Sequence, residues 1–137
     1  MKELTIKPFK VEDLKSLGLK EEQLRLYEKV MYSSTSWTVT YKGETVFCGG
    51  VQGFLPGVGE AWLIFSEHGR GYIAALKTAK ELLKYSIKHY RRIQATADRN
   101  TNIRFLKHLG FVYEGTLRKY GLNGQTMEMY SIVEEDL

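Results

Sequence analysis

Ala61-Trp62-Leu63-Ile64-Phe65-Ser66-Glu67-His68-Gly69-Arg70-Gly71-Tyr72 is the stretch that decides the fold. Its first five residues are an unbroken apolar run, of strand length and bounded by turn residues. Two glycines then interrupt the chain, and the period changes. Tyr72, Ala75, Leu76, Ala79, Leu82, Leu83, Ile87 and Tyr90 recur at helical spacing, which predicts the longest helix over about 71–90. Arg92-Ile93-Gln94-Ala95-Thr96 follows as a strand. A strand that returns to a strand through a helix is a crossover, and a crossover implies a parallel pair.

Working upstream, Leu4-Thr5-Ile6 before Pro8 reads as a short first strand. Val11 to Leu17 reads as a short helix stopped by Gly18. Glu21 to Tyr32 carries Leu24, Tyr27, Val30 and Met31 at helical spacing, and a Ser/Thr cluster breaks it. Trp37 to Tyr41 alternates with period two, Lys42-Gly43-Glu44 turns, and Thr45 to Phe54 runs back as a second strand of a meander. Gly49-Gly50 within it implies a bulge or a close backbone contact. Leu55 to Gly59 reads as a loop, and Glu60 to Phe65 as the third meander strand.

Downstream, Thr101 to Leu109 is a helix carrying Ile103, Phe105, Leu106 and Leu109, with Gly110 as its cap. Phe111 to Tyr120 and Thr126 to Val133 are strands joined by Gly121-Leu122-Asn123-Gly124, a hairpin signal through Asn-Gly. The expected fold is a mixed α/β (α+β) sheet of about seven strands with four helices, one domain over 1–137, its parallel neighbours near the middle. Phe105, Leu106, Leu109, Phe111, Leu76, Ala79 and Leu83 are the expected core of the two helices that cover it.

A chain of 137 residues with 43% hydrophobic and 26% charged residues is long and apolar enough to bury a core, which excludes a disordered chain. Its apolar runs fall far short of the roughly 20 residues that span a bilayer. Met1-Lys2-Glu3-Leu4 lacks the apolar centre of a signal peptide, so the expected location is a cytoplasm, the cell's own or an infected host's, with no membrane partner. The single cysteine, Cys48, excludes an intrachain disulfide and reads as a buried structural thiol. One Cys and the scattered His68, His89 and His108 do not supply a structural zinc site. The net charge of +4 suits a polyanion such as a nucleotide cofactor. The chain lacks a dense Lys/Arg stretch with interleaved aromatics, which argues against a nucleic-acid partner, and Arg91-Arg92 reads as a solvated helix end.

Three stretches resemble the GNAT superfamily of N-acetyltransferases, and the element order extends the resemblance over essentially the whole chain. They are Ala61 to Tyr72, Asn102 to Phe111 with its Leu109-Gly110-Phe111 ending, and Glu114-Gly115-Thr116-Leu117-Arg118, which is similar to the Glu-Gly-x-Leu-Arg of protein- and peptide-amine acetyltransferases. The resemblance implies the GNAT acyl-CoA N-acyltransferase fold, acetyl-CoA as co-substrate and an amine as acceptor. It implies that the backbone amides of Glu67, His68, Gly69, Arg70, Gly71 and Tyr72 meet the CoA pyrophosphate. The opening of a long helix carries unpaired N–H groups and a positive dipole end, and glycines admit phosphate oxygens closely. Arg70 adds a charged contact, and Asn102, in the late motif, joins the cofactor set.

Acetyl transfer to an amine needs a base, a donor for the thioester carbonyl and a proton or stabiliser for the leaving thiolate. In the family the third meander strand and the crossover strand splay apart, which implies that backbone N–H groups among Leu63, Ile64 and Phe65 polarise the carbonyl. Glu60 is the natural carboxylate base, or else an ordinary solvated residue at a strand start. Tyr113 and Tyr120, after Leu-Gly-Phe, are candidate acids, or else half-buried strand tyrosines.

The sequence departs from the family pattern in places. Ser66 stands where the cofactor loop carries Arg or Gln, and Leu106 where the late helix often carries an acid Tyr. Arg99, beside Asn100, stands at a frequent Asn position. In length and in Ile103-Arg104-Phe105-Leu106-Lys107 the chain resembles short phage-encoded GNAT-like proteins, which sets a second expectation: a catalytically eroded phage protein with a structural or interaction role in the virion. The acceptor is not written in the sequence, and monomer and homodimer both remain open.

Overall fold

A computed structural model describes residues 4–25, 28, 34–66, 72–98, 103–121 and 123–137. Seven strands form one sheet: β1 (Leu4–Pro8), β2 (Ser34–Tyr41), β3 (Glu44–Leu55), β4 (Val58–Phe65), β5 (Arg92–Asp98), β6 (Val112–Leu117) and β7 (Met127–Ile132). Their order across the sheet is β1-β2-β3-β4-β5-β7-β6. The β4–β5 pair is parallel, and every other pair is antiparallel. The expected mixed sheet with its parallel neighbours at the centre is therefore the observed one.

Helices cover both faces. The long helix, Tyr72–Ile87, and the late helix, Arg104–Leu109, lie on one face. Ala75, Ala79, Leu83, Phe105, Leu109 and Phe111 are buried there against Phe47, Val51, Ile93 and Ile132, with Leu76 and Leu106 packed at the margin. The other face carries a smaller cluster of Phe9, Leu14, Leu24 and Cys48, joined by Trp62 and Ile64. Leu14 belongs to the expected short helix, Val11–Leu17, which is a 3₁₀ helix. Asp13 ties that helix to the sheet: it accepts from the Lys10 N–H at 3.0 Å and from the buried Thr38 hydroxyl at 2.7 Å. Of the second early helix only residues 21–25 and 28 are described, all helical.

The first five strands run longer than the alternation predicts, and the last two are shorter, β6 ending at Leu117 rather than Tyr120 and β7 spanning Met127–Ile132. Ser34-Thr35-Ser36 opens β2 instead of ending a helix, and Val58-Gly59 belongs to β4. Gly49 and Gly50 mark a close backbone contact, since the β2–β3 register passes through both unbroken. A Cβ on Gly49 would lie 2.8 Å from Leu63 Cδ2, and one on Gly50 would meet Thr35 O. The β6–β7 connection is wider than a two-residue Asn-Gly hairpin. Gly124 N–H donates to Gly121 O at 2.8 Å, so Asn123-Gly124 closes a turn within a longer loop, held by Gly121 N–H to Gln125 O at 3.0 Å.

Candidate active site

The parallel seam between β4 and β5 is short. Val58 pairs with Arg92, Gly59 with Ile93 and Glu60 with Gln94, and there the pairing stops. Past that point β4 stays on β3 as far as Phe65, and β5 stays on β7 as far as Asp98. The two strands thus part within the sheet and leave a V-shaped opening.

Backbone alternation decides which groups face it. Ser66 N–H donates to Val46 O at 2.8 Å. Antiparallel pairing alternates along a strand, so Ile64, Trp62 and Glu60 also bond toward β3. Ala61, Leu63 and Phe65 then turn their N–H and C=O groups away from β3, toward the opening. Of the three residues expected to polarise a carbonyl, Leu63 and Phe65 have their amides on that side, and Ile64 has its own directed into the sheet. Among the described strands β5 has departed opposite Leu63, so the N–H and C=O of Leu63 face the position where an inserted chain would run.

Glu60 stands where the V closes. It is half-buried, on the face opposite the long helix, and it belongs to a hydrogen-bonded row that crosses four strands. Gln94 Nε2 donates to Glu60 Oε1 at 3.1 Å. Arg92 Nε donates to Gln94 Oε1 at 3.0 Å. Arg92 Nη2 meets Glu114 Oε1 at 2.6 Å. Burial holds the Glu60 carboxyl above its usual range, while the Gln94 hydrogen bond and the Arg92 charge pull it back. Glu114 is held below its usual range, chiefly by the bond from Arg92.

Sequence reasoning named Glu60 but missed Gln94, Arg92 and Glu114. Arg92 is no solvated helix end, whereas Arg91 is exposed just past the long helix, with its Nη1 donating to Pro56 O at 2.8 Å. Period two along β5 puts Arg92 and Gln94 on one face. Glu114 joins them only because β7 lies between β5 and β6 and because the β6–β7 register shifts between Tyr113 and Gly115. The sequence carries no signal for either fact.

The structure does not gather the expected acids beside Glu60. Tyr113 is paired with Tyr130, two strands beyond β5 from the V, on the long-helix face. Its hydroxyl lies 3.1 Å from Glu128 Oε1 and 2.7 Å from Thr116 Oγ1. Tyr120 is exposed past the end of β6. Leu106 is a partly buried member of the main core. Glu67, His68, Gly69, Arg70, Gly71 and Asn102 lie outside the described residues, as does the side chain of Tyr72, whose backbone opens the long helix. Among the described residues no helix is long and apolar enough to cross a membrane.

No family model matches the sequence, and no curated protein does. Solved structures do. A GNAT-family acetyltransferase from Bacillus anthracis is similar over 97% of this chain and 96% of its own, at 21% identity and a TM-score of 0.74. A chimera of the Vibrio cholerae spermidine N-acetyltransferase SpeG with hSSAT matches over 97% and 96%, at 18% identity and a TM-score of 0.73. Mycobacterium smegmatis RimJ, solved with CoA-disulfide, matches over 98% of this chain and 83% of its own, at 14% identity and a TM-score of 0.73. At such identities the likeness speaks to architecture, and the architecture of this chain is the GNAT acyltransferase fold.

Proposed function

We propose that this single-domain chain is an acyl-CoA-dependent N-acetyltransferase that moves an acetyl group from acetyl-CoA to an amine. The observation that carries the reading is the parting of β4 from β5 after three residue pairs, with the Leu63 and Phe65 amides on the open side and Glu60 at its closed end. These groups fit an extended thioester chain: backbone donors along one wall and a half-buried carboxylate at the base. Acetyl-CoA supplies an activated acetyl group: the amine nitrogen bonds to the carbonyl carbon, the carbon–sulfur bond breaks, and CoA leaves as a thiolate that takes up a proton from the acceptor nitrogen or from water. Glu60 takes the proton of the incoming ammonium, directly or through water. The backbone N–H of Leu63 donates to the carbonyl oxygen as negative charge develops on it. The resemblance assigns the pyrophosphate to the amides of residues 67–72. The likeness to the spermidine N-acetyltransferase SpeG supports an amine acceptor and the likeness to RimJ with CoA-disulfide supports a CoA co-substrate, both by analogy of fold, and a cytoplasmic site of action accords with CoA chemistry.

A second reading is favoured by one observation. The late helix presents Leu106, an apolar core residue, where the family often has an acid Tyr, and the Tyr113 hydroxyl is engaged with Thr116 and Glu128. A GNAT-fold module without catalysis, of the kind resembled in phage particles, would have this character. Calorimetry with acetyl-CoA, followed by thiol release with polyamine and peptide N-terminal amines, separates the two. Binding with thiol release supports the enzyme. Absence of binding at millimolar acetyl-CoA defeats it and leaves the module. Gly71→Val is expected to weaken binding by steric exclusion, and Arg70→Ala to weaken it less while reducing its salt dependence.

A further inference from the structure

The row Glu60–Gln94–Arg92–Glu114 has an internal logic that fixes the direction of one amide. An Arg Nε–H is a donor only, so the Gln94 atom facing it must be the carbonyl oxygen. The Gln94 NH₂ is thereby turned to Glu60 Oε1. The reversed amide would set its oxygen against the carboxylate and its NH₂ against the guanidinium, two repulsive contacts in place of two favourable ones. Arg92 is in turn held by Glu114 from the edge strand through a different nitrogen, so a single planar fork serves both partners. Opposite Glu60, β3 contributes the neutral Gln52. The charged groups of the row are Arg92 from β5 and Glu114 from β6.

We propose that Arg92, anchored by Glu114, is a positioning residue: it locks the Gln94 amide so that it donates to Glu60, and so holds the base in its carboxylate form. This rests on the reading of Glu60 as base. It adds that the edge strand β6, two strands from the V, takes part in tuning that base.

Glu114→Gln tests it with opposite signs. Glu114 is an exposed surface residue, so the variant is expected to fold. If Glu114 acted on Glu60 only as a distant negative charge, removing it would lower the midpoint at which Glu60 takes a proton. If Glu114 acts by anchoring Arg92, the variant exchanges a charge-assisted contact for a neutral one, the lock on the Gln94 amide weakens and the midpoint rises. The readout is the side-chain carboxyl resonance of Glu60 in a carbon-detected NMR titration of the whole chain, with Gln94→Leu as the reference for complete loss of the donor. A rise with Glu114→Gln, smaller than that with Gln94→Leu and absent in the Gln94→Leu/Glu114→Gln double variant, is the expected result. A fall, no change, or the same rise in both backgrounds overturns the proposal. The titration needs neither acetyl-CoA nor an acceptor. Failure of the acetyltransferase reading would appear in the calorimetry, and failure of the relay would appear here.

Discussion

Phe105 of the late helix meets Phe65, at the end of β4, edge-on, with ring centroids 4.1 Å apart. On its other side Phe65 packs against Phe47, centroids 5.3 Å apart. The ring of Phe65 is thus committed to the core while its backbone turns to the opening between β4 and β5. The late helix is therefore a clamp on the wall of the candidate site. Phe105→Ala removes a buried ring, for which the expected cost is about 3–5 kcal/mol. Urea denaturation checks it, and a midpoint within error of the parent would mean that Phe105 is not a core residue.

The elements could be read because their signals are local. The long helix announces itself through apolar residues at one period, its buried face is the expected one at Ala79 and Leu83, and it ends at Ile87, one turn short of the expected Tyr90. The late helix and its glycine cap were equally legible. Strand ends were not, because Ser34-Thr35-Ser36 is polar and becomes strand only through pairing with Gly50, Val51 and Gln52. The site was half legible for the same reason. Glu60 stands next to an apolar run that can be seen in the sequence. Its partners Gln94 and Glu114 are brought to it by sheet order and by a bulge, which depend on long-range pairing and leave no periodic trace.

Gly110 caps the late helix at φ +99°, and its N–H and that of Phe111 donate to Lys107 O and Leu106 O, each at 3.0 Å. A side chain there is strained by its own backbone, and a Cβ would also sit 3.4 Å from Ile132 Cδ1. Gly110→Ala is expected to destabilise by about 1–2 kcal/mol, the usual cost of the left-handed region for a residue with a Cβ. Equal thermal midpoints for parent and variant would mean that the cap is not formed in solution.

Cys48 is fully buried between the sheet and the early helices, and burial pushes its thiol up to about 11. A thiol that is both inaccessible and protonated is a poor nucleophile. Native protein at mildly alkaline pH is therefore expected to resist iodoacetamide, and urea-unfolded protein to be labelled fully. Mass spectrometry that finds rapid labelling of the native chain would overturn the structural reading of this residue.

Glu60 links stability to chemistry, and the sign can be followed from its surroundings. Burial raises its carboxyl above the ordinary value of 4.5. A carboxyl raised on folding binds its proton more tightly in the folded state. Its contribution is full below the unfolded value and is lost as pH rises from there through the folded value. Above that folded value the protein carries an ionised group that its surroundings disfavour. Glu60→Gln removes that ionisation and keeps an oxygen to accept from Gln94 Nε2. Relative to the parent, the variant is expected to gain stability as pH rises from the ordinary value of 4.5 through the raised value of the folded state, the interval over which the parent's carboxyl ionises. Its acetyl transfer, measured by thiol release, is expected to fall by about 10²–10⁴-fold with the loss of the base, while acetyl-CoA affinity holds. A variant that loses stability over that interval would mean that Glu60 is stabilised, not strained, by its site. A variant that keeps full activity would remove Glu60 from the chemistry.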